Sequence, residues 1–219
     1  MREIMREITV NFTPDMVRAI LDGRKTQTRR PLRVQPPEEF MSGDVAAITN
    51  GDRWAFSKLP SGNVWPDGDG FKPQFQPGDL MLVRERARLV RCRTNEAGVF
   101  QTRFQYPVDG FKSDWIDYPD RLKPLEIGHC VPNGCFKELV RIKRKVVRVW
   151  YERVRDISTM DVANEGCKCP ITVGIGEHCN GNIHCQTRRD AFGKLWDSIY
   201  PGSWDRNDWV EVTEFEGVK

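Results

Sequence analysis

The sequence predicts an α+β fold built around a small β-barrel, with flanking helices and long loops. An alternating apolar segment at the start indicates a strand, and a capped helix follows it directly. Further strands fill the middle of the chain, and two short helices precede a closing strand. No regular strand–helix–strand repetition is present, which argues against a doubly wound parallel sheet. We therefore expect one domain spanning residues 1–219.

The first two elements have clear signals. Apolar residues alternate with polar ones over 8–12, as in a strand with one buried face. Thr13 can cap a helix that starts at Pro14, since proline suits the first helical position. Gly23 ends this helix, because glycine readily takes the left-handed conformation found after a helix C-terminus. The sequence thus predicts a strand and a helix before residue 24.

The later elements alternate with two long loops. Strands are predicted at residues 80–85, 139–154 and 209–215, and helices at 159–165 and 190–200. Ser158 begins a capping pattern at the first of these helices. Segments 31–76 and 86–135 are expected to be long excursions, although alternation over 100–106 suggests a hairpin in the second. A third loop, 167–185, is rich in Cys, Gly and His.

Composition sets limits on the class of protein. The chain is 39% hydrophobic, which is enough for one sizeable core. Its 34 basic and 31 acidic residues give a net charge of +3, which by itself does not demand a nucleic-acid partner. The charged start lacks the apolar core of a secretory signal, and no apolar run approaches the roughly 20 residues that span a membrane. We expect a cytoplasmic protein.

The segment 23–30, Gly-Arg-Lys-Thr-Gln-Thr-Arg-Arg, is the main candidate for chemistry. It places four basic groups and two hydroxyls directly after the predicted helix. Such a loop can bind a phosphate or a polarised carbonyl. Lys25 can also activate the hydroxyl of Thr28 as a nucleophile, if burial or nearby cations lower its pKa. The alternative is a solvated basic loop whose threonines cap the backbone.

Four blocks of the sequence resemble the phage-type ASCH family. MVRAILDGRKTQTRRPL is similar to its helix and G-x-K-x-x-T-x-R loop, and FQPGDLMLVRERA to its P-G-D turn and strand. VWYERVRDISTMDVANEG resembles its strand and A-x-x-E-G helix, and LWDSIYPGSWDRNDWVEVTEF its closing helix, W-x-x-N-x-W turn and strand. The blocks occur in the family's order, which is more specific than one short motif.

This resemblance implies a PUA-like barrel and two possible functions. Small bacterial members are similar to amidohydrolases that deacylate N4-acetylcytidine, and their lysine, threonine and glutamate correspond to Lys25, Thr28 and Glu165. Other members resemble RNA binders, and ribonuclease activity is associated with some. The resemblance therefore implies either amide hydrolysis on a modified pyrimidine nucleoside or a non-catalytic RNA- or DNA-binding module, with ribonuclease activity between the two.

The expected roles of the other candidates follow from their chemistry. Arg29 or Arg30 can bind a phosphate, and Arg24 can stabilise an oxyanion. Glu85, at the end of a predicted strand, can pair with Lys25 or with an arginine, or form a structural ion pair. Trp204 lies in a turn and can face the pocket. Further candidates for stacking on a base are Trp54, Trp65 and Trp115.

Departures from the family are concentrated in the long loops. Segments 31–76 and 86–135 are insertions relative to the minimal hydrolase-like members. A basic run over 141–145 can suit a phosphate backbone or a protected strand edge. We expect RNA, DNA or a modified pyrimidine nucleoside as the ligand, no membrane association, and a monomer or weak dimer.

Four cysteines predict a possible structural zinc site, since four thiolates can close a tetrahedral site with no open position. They are Cys167, Cys169, Cys179 and Cys185. Cys130 and Cys135 can supply alternative ligands, and reduced, unrelated thiols are the simpler interpretation. No organic cofactor is expected.

Overall fold

The fold is taken from a computed structural model of the chain. The structure describes residues 5–41, 45–50, 52–66, 70–118, 126–131, 137–167 and 184–218, without the side chains of residues 50 and 184–187. These residues contain both strands (41%) and helices (22%), as expected for the α+β class. None of the described helices is long and apolar enough to cross a membrane.

The secondary structure contains strands throughout the chain and helices at a few positions. The strands are β1 Glu7–Asn11, β2 Gln27–Pro31, β3 Val45–Asn50, β4 Arg53–Lys58, β5 Asn63–Trp65, β6 Leu80–Arg84, β7 Ala87–Thr94, β8 Phe100–Gln105, β9 Ile116–Asp117, β10 Cys130–Val131, β11 Ile142–Arg153 and β12 Trp209–Gly217. The helices are α1 Pro14–Leu21, α2 Thr159–Asn164, α3 His184–Ile199 and α4 Ser203–Arg206, with short 3₁₀ turns at Glu38–Phe40, Lys137–Leu139 and Val154–Asp156.

The chain divides into two compact units. The first contains residues 1–23, 79–145 and 217–219, and the second contains residues 24–78 and 146–216. In the first unit, β1 runs parallel to β6, and β6 pairs antiparallel with the start of β11. A second sheet of this unit has the order β10-β7-β8-β9 and packs a core around Leu89, Phe104 and Leu139.

The start of the first unit forms as its sequence predicts. Thr13 caps α1 by accepting a hydrogen bond from the backbone N–H of Met16, and Pro14 is its first residue. Val17 and Ile20 bury the apolar face of this helix. Gly23 follows with a φ of +73°, a conformation that favours glycine because it has no Cβ.

In the second unit, β12 lies between β2 and residues 146–153 of β11. The two faces of this sheet pack against different partners because successive side chains alternate across a strand. Val210 and Val212 pack with residues of α2 and α3. Trp209 and Tyr151 face the opposite side and pack with Phe56 of a separate sheet, β3-β4-β5.

The long loops contain more regular structure than the sequence indicates. Residues 45–65, within the expected excursion 31–76, form the three antiparallel strands β3 to β5. Trp54, Phe56 and Trp65 share one face, but Ile48 and Val64 lie exposed on the other, so the alternation of apolar and polar residues is weak. The hairpin expected near 100–106 is present as β7 and β8. Helix α3 begins at His184, earlier than the sequence predicted. Its first turns contain few apolar residues, so a helical period is not visible there.

Candidate functional site

Lys25 and Glu165 form a buried ion pair in the second unit. The Nζ atom of Lys25 donates to Oε2 of Glu165 at 2.5 Å and to the Glu165 backbone carbonyl at 3.1 Å. Lys25 is 2% exposed and Glu165 is 8% exposed. The two backbones are also paired by an antiparallel bridge, next to a hydrogen bond from Thr26 N–H to the Asn164 carbonyl. Backbone pairing therefore fixes where the two side chains meet.

The short helix α2 positions Glu165. Its N-cap, Ser158, accepts a hydrogen bond from the backbone N–H of Asp161 at 3.1 Å. Val162 is fully buried and holds the helix on the core. Glu165 is the C-terminal cap, and its N–H donates to the Asp161 carbonyl at 2.8 Å. The helix that this predicted cap begins thus ends at Glu165, the residue that contacts Lys25.

Arg29 completes the cluster around Glu165. Its NH1 atom donates to Oε1 of Glu165 at 3.1 Å, and its Nε atom donates to Oε1 of Glu152 at 2.9 Å. Arg29 is 3% exposed. Two buried cations are therefore paired with the buried Glu165 and the partly buried Glu152, and losing one partner would leave an uncompensated buried charge. We call Lys25, Arg29, Glu152 and Glu165 the ion cluster.

Thr28 lies on the opposite face of β2 from Arg29. Arg29 and Gln27 are in contact, with NH1 of Arg29 3.3 Å from Oε1 of Gln27, so both project to the ion-cluster face. Thr28 stands between them and pairs with Thr213 across the strands. Among the described residues, its hydroxyl makes no hydrogen bond to Lys25 or Glu165. Lys25 and Arg29 contact the same carboxylate, that of Glu165, so Lys25 is on the Arg29 side and Thr28 faces the other way.

The other basic residues of segment 23–30 have different surroundings. Arg24 donates to the backbone carbonyl of Gly166 at 2.9 Å, which connects it to the residue after Glu165. Arg30 lies on the same face of β2 as Thr28 and is half-buried. It lines a cavity on the side of the sheet away from the ion cluster.

That cavity has a volume of about 440 Å³. Its walls carry three cations, two aromatic rings and one carboxylate: Arg30, Arg33, Lys72, Trp65, Phe71 and Glu211. A concave site with aromatic walls and an excess of positive charge suits a small anion that has a flat apolar part. We call it the basic cavity.

Glu211 is held rigidly in the wall of the basic cavity. Its Oε2 accepts hydrogen bonds from the backbone N–H of Gln74 at 2.9 Å and from the Tyr151 hydroxyl at 2.8 Å. Its Oε1 accepts one from the N–H of Phe75 at 3.3 Å. Burial raises the pKa of Glu211 and also that of Tyr151. These groups were not identified from the sequence, although the alternation in β12 places Glu211 on the same face as the buried Trp209.

Glu85 forms an ion pair in the first unit. Arg141 donates to both of its carboxylate oxygens, at 2.7 and 3.0 Å, and also to both oxygens of Asp109. The guanidinium lies 4.3 Å from the centre of the Tyr106 ring. Burial raises the pKa of Glu85 despite the Arg141 hydrogen bond. Glu85 is thus paired with an arginine, Arg141, as one of the sequence-based alternatives had it, and the described contacts are those of a structural ion pair.

Trp204 packs in the core of the second unit. Its ring lies 5.9 Å from that of Phe192 and against Gly193. A Cβ at Gly193 would come within 2.8 Å of the indole, so glycine leaves the space that the ring fills. Trp204 does not line the basic cavity.

The three further tryptophans proposed to stack on a base have different neighbours. Trp54 packs edge-on against Tyr151 with ring centres 4.9 Å apart. Trp65 lines the basic cavity. Trp115 belongs to the first unit and lies under the guanidinium of Arg93, 4.2 Å away. Of the three, Trp65 is the one in a position to contact a ligand of the basic cavity.

The structure describes only part of the predicted zinc site. Cys167 is a half-buried free thiol, and burial raises its pKa to about 11. Cys169 and Cys179 lie outside the described residues, as does the alternative ligand Cys135. Cys185 belongs to α3, but its side chain is not described. Within the described part of the chain, no three potential ligands come together, so the zinc site stays a prediction.

Comparisons with known proteins identify no relative. No protein family, no curated protein and no solved structure matches the chain. Its function must be argued from the geometry of the ion cluster and the basic cavity, together with the resemblance of its sequence motifs.

Proposed function

We propose that this protein hydrolyses an amide on a modified pyrimidine nucleoside, such as N4-acylated cytidine, at a site formed by Lys25 and Glu165 on a PUA-like ASCH scaffold. The observation that carries the proposal is the 2.5 Å contact between Nζ of Lys25 and Oε2 of Glu165, with both groups buried. Two ionisable groups held in contact away from water are frequent at catalytic sites. Lys25 also falls on the family's G-x-K-x-x-T position, and Glu165 is matched to the glutamate of the family's helix, although it follows Ala163 by two positions instead of three.

The proposed reaction uses this pair for proton transfer and charge stabilisation. A water molecule attacks the acyl carbonyl, and Glu165 accepts its proton. The ammonium of Lys25 donates a hydrogen bond to the oxyanion that forms. The C–N4 bond then breaks, and the proton passes from Glu165 to the departing amine, giving cytidine and a carboxylic acid. Arg29 keeps Glu165 in position through its bond to Oε1.

Thr28 has a different place in this proposal from the one that the resemblance implies. The resemblance makes its hydroxyl the nucleophile. Because β2 places Thr28 on the face opposite Arg29 and Gln27, we assign the attack to water. Thr28 then packs opposite Thr213, on the face of β2 that also carries Arg30.

The direct test is turnover of N4-acetylcytidine, followed by chromatographic separation of cytidine. Lys25→Met and Glu165→Gln are each expected to lower the rate about 100-fold or more, the usual effect of removing an acid–base group. Lys194→Gln, an exposed substitution on α3, is the matched control and should leave the rate unchanged. Absence of turnover, or turnover that survives both substitutions, would contradict the proposal.

The basic cavity supports a second candidate, a non-catalytic module that binds a nucleotide unit of RNA or DNA. Arg30, Arg33 and Lys72 can neutralise a phosphate, while Trp65 and Phe71 offer aromatic surface to a base. Arg30→Gln with Arg33→Gln should weaken binding of an oligonucleotide and reduce its salt dependence. Binding that ignores both substitutions would remove this candidate.

A further inference from the structure

The hairpin of β7 and β8, in the first unit, has an arginine-rich outer face. Its inner face is apolar, with Ala87, Leu89 and Phe104 fully buried. The outer face carries four arginines, three exposed and one, Arg103, half-buried: Arg88, Arg91, Arg93 and Arg103. We call these four residues the arginine face.

A β-bulge creates this face. Before the bulge, Arg88 points outward opposite Gln105, and Leu89 points inward opposite Phe104. The register then shifts between Leu89 and Arg91, so Val90 has no partner of its own. With one extra residue in β7, the positions that follow reverse their faces. Without the shift, Arg91 would point toward the core instead of joining Arg88 outside.

Arg91 and Arg103 stand directly opposite each other in the sheet. Residues in such a pair have their Cβ atoms about 4.5–5.5 Å apart, and like charges there are unfavourable. Neither Arg88 nor Arg91 has a carboxylate partner among the described residues. No carboxylate among the described residues therefore offsets the repulsion between Arg91 and Arg103, and a bound anion would offset it.

Neighbouring contacts orient the remaining arginines. The guanidinium of Arg93 lies over the Trp115 ring, and its Nε donates to Oε1 of Gln101 at 2.9 Å. Nε of Arg103 donates to the Ser113 carbonyl at 2.8 Å, which leaves its other donors available. Asp117 accepts a hydrogen bond from Gln101 at the Trp115 end of the face. The positive charge is consequently greatest around Arg88, Arg91 and Arg103.

We propose that the arginine face binds the phosphate backbone of a nucleic acid. Guanidinium groups match the geometry of phosphate oxygens with paired donors, and successive outward residues on a strand present them at intervals of about 7 Å. A membrane surface is the other polyanion that such a face can meet. The face itself is polar, and the exposed Phe100 ring beside it packs on Tyr118, so the observations favour nucleic acid.

This binding is independent of the proposed hydrolysis. The arginine face belongs to the first unit, whereas Lys25, Glu165 and the basic cavity belong to the second. A free nucleoside has no phosphate, so its turnover does not report on the arginine face. Failure of either proposal would leave the other unaffected.

The test measures binding of the whole chain to a fluorescent 20-nucleotide strand and to the corresponding duplex at several salt concentrations. The variant Arg88→Gln/Arg91→Gln removes two cations from the face. The control Arg155→Gln/Lys194→Gln removes two exposed cations of the second unit, with the same change in net charge.

We expect the face variant to bind about ten-fold more weakly at low salt. Its slope of log K against log salt should fall by about 1.4 for the single strand or about 1.8 for the duplex, as for two lost phosphate contacts. The control should bind as the unmodified chain does. Equal losses in both variants, no binding at low salt, or tighter binding to anionic lipid vesicles than to either oligonucleotide would overturn the proposal.

Discussion

The carboxylate of Glu165 is shared between Lys25 and Arg29, one cation on each oxygen, and all three side chains are buried in the second unit. Arg29 also contacts Glu152 and lies 3.7 Å from a carboxylate oxygen of Asp161, so three carboxylates surround the two cations. Glu165 is therefore held by two cations, and its loss would remove the carboxylate that the buried Lys25 contacts.

The pair of Lys25 and Glu165 should be strongly coupled in stability. Lys25→Met leaves the buried Glu165 with one cation instead of two, and we expect a loss of about 3 kcal/mol in the free energy of unfolding. Adding Glu165→Leu should cost less than the sum of the single substitutions, by about 1 kcal/mol or more. Urea unfolding of the four proteins measures this coupling.

The exposed pair of Lys72 and Asp52 is the matched control for that cycle. Its atoms are 3.3 Å apart, but both side chains are more than half exposed. Exposed pairs usually contribute well under about 1 kcal/mol. Equal coupling in the two cycles would mean that burial of Lys25 and Glu165 has no energetic consequence.

Thr28→Val separates two chemical interpretations of the same motif. The valine keeps the shape of the buried side chain and removes only the hydroxyl. If water attacks the substrate, turnover of N4-acetylcytidine should change by less than about three-fold, since the lost group touches neither Lys25 nor Glu165. A loss of about 100-fold or more, as for other catalytic groups, would assign the attack to Thr28.

Arg91→Glu should stabilise the folded protein. It replaces a like-charge pair across β7 and β8 with an opposite-charge pair to Arg103, and such pairs contribute about 0.2–1 kcal/mol. Arg88→Glu is the control, because its cross-strand partner is the neutral Gln105. Thermal or urea unfolding should show the gain for Arg91→Glu alone. Destabilisation by Arg91→Glu would mean that the arginines are not opposed as described.

Glu211 should make stability depend on pH in an unusual direction. Burial raises its pKa above the ordinary value of 4.5, so the folded state binds the proton more tightly than the unfolded state. Its contribution to stability is therefore greatest below pH 4.5 and decreases as the pH rises through the folded pKa. Paired carboxylates such as Asp109, whose pKa is lowered, act in the opposite direction.

Comparison with Glu211→Gln isolates this contribution. The difference in unfolding free energy between the unmodified chain and the variant should change with pH above 4.5, then become constant. Glu39→Gln, at an exposed position, is the matched control for the loss of one carboxylate. A flat difference for Glu211→Gln would show that its folded pKa is not raised.

The zinc hypothesis has a simple analytical test. If Cys167, Cys169, Cys179 and Cys185 hold a structural ion, protein purified without chelator should contain about one zinc per chain, and Cys167→Ser should lower that content. Cys92→Ser removes a half-buried free thiol of the first unit and should not change it. Less than about half an equivalent of zinc would count against the site.

The sequence predicted the elements whose signals are local. The caps at Thr13 and Ser158 are in the expected places, and the strand over 139–154 is present as β11, beginning at Ile142 after a 3₁₀ turn. Only the family resemblance indicated that Lys25 and Glu165 would belong to the same site. No local pattern connects residues so far apart, and the backbone bridge between them depends on the folded sheet.

The parts that the sequence did not predict depend on long-range pairing. The sequence around Glu152 does not indicate a contact with Arg29. The special surroundings of Glu211 become evident only from its hydrogen bonds with Gln74 and Tyr151, which are distant in sequence. The arginine face depends on a register shift at Val90, which a count of alternating residues cannot locate. The barrel, the single-domain organisation and the catalytic roles remain predictions.

The alternation along β2 has a consequence for how segment 23–30 can vary. Gln27 and Arg29 serve the ion cluster, while Arg30 serves the basic cavity on the other side of the same strand. A deletion or insertion of one residue would exchange the two sides and place each charge in the wrong surroundings. Single substitutions, by contrast, can alter one site and spare the other. A single substitution in the segment is thus expected to change one of the two sites, whereas a one-residue insertion or deletion is expected to disrupt both.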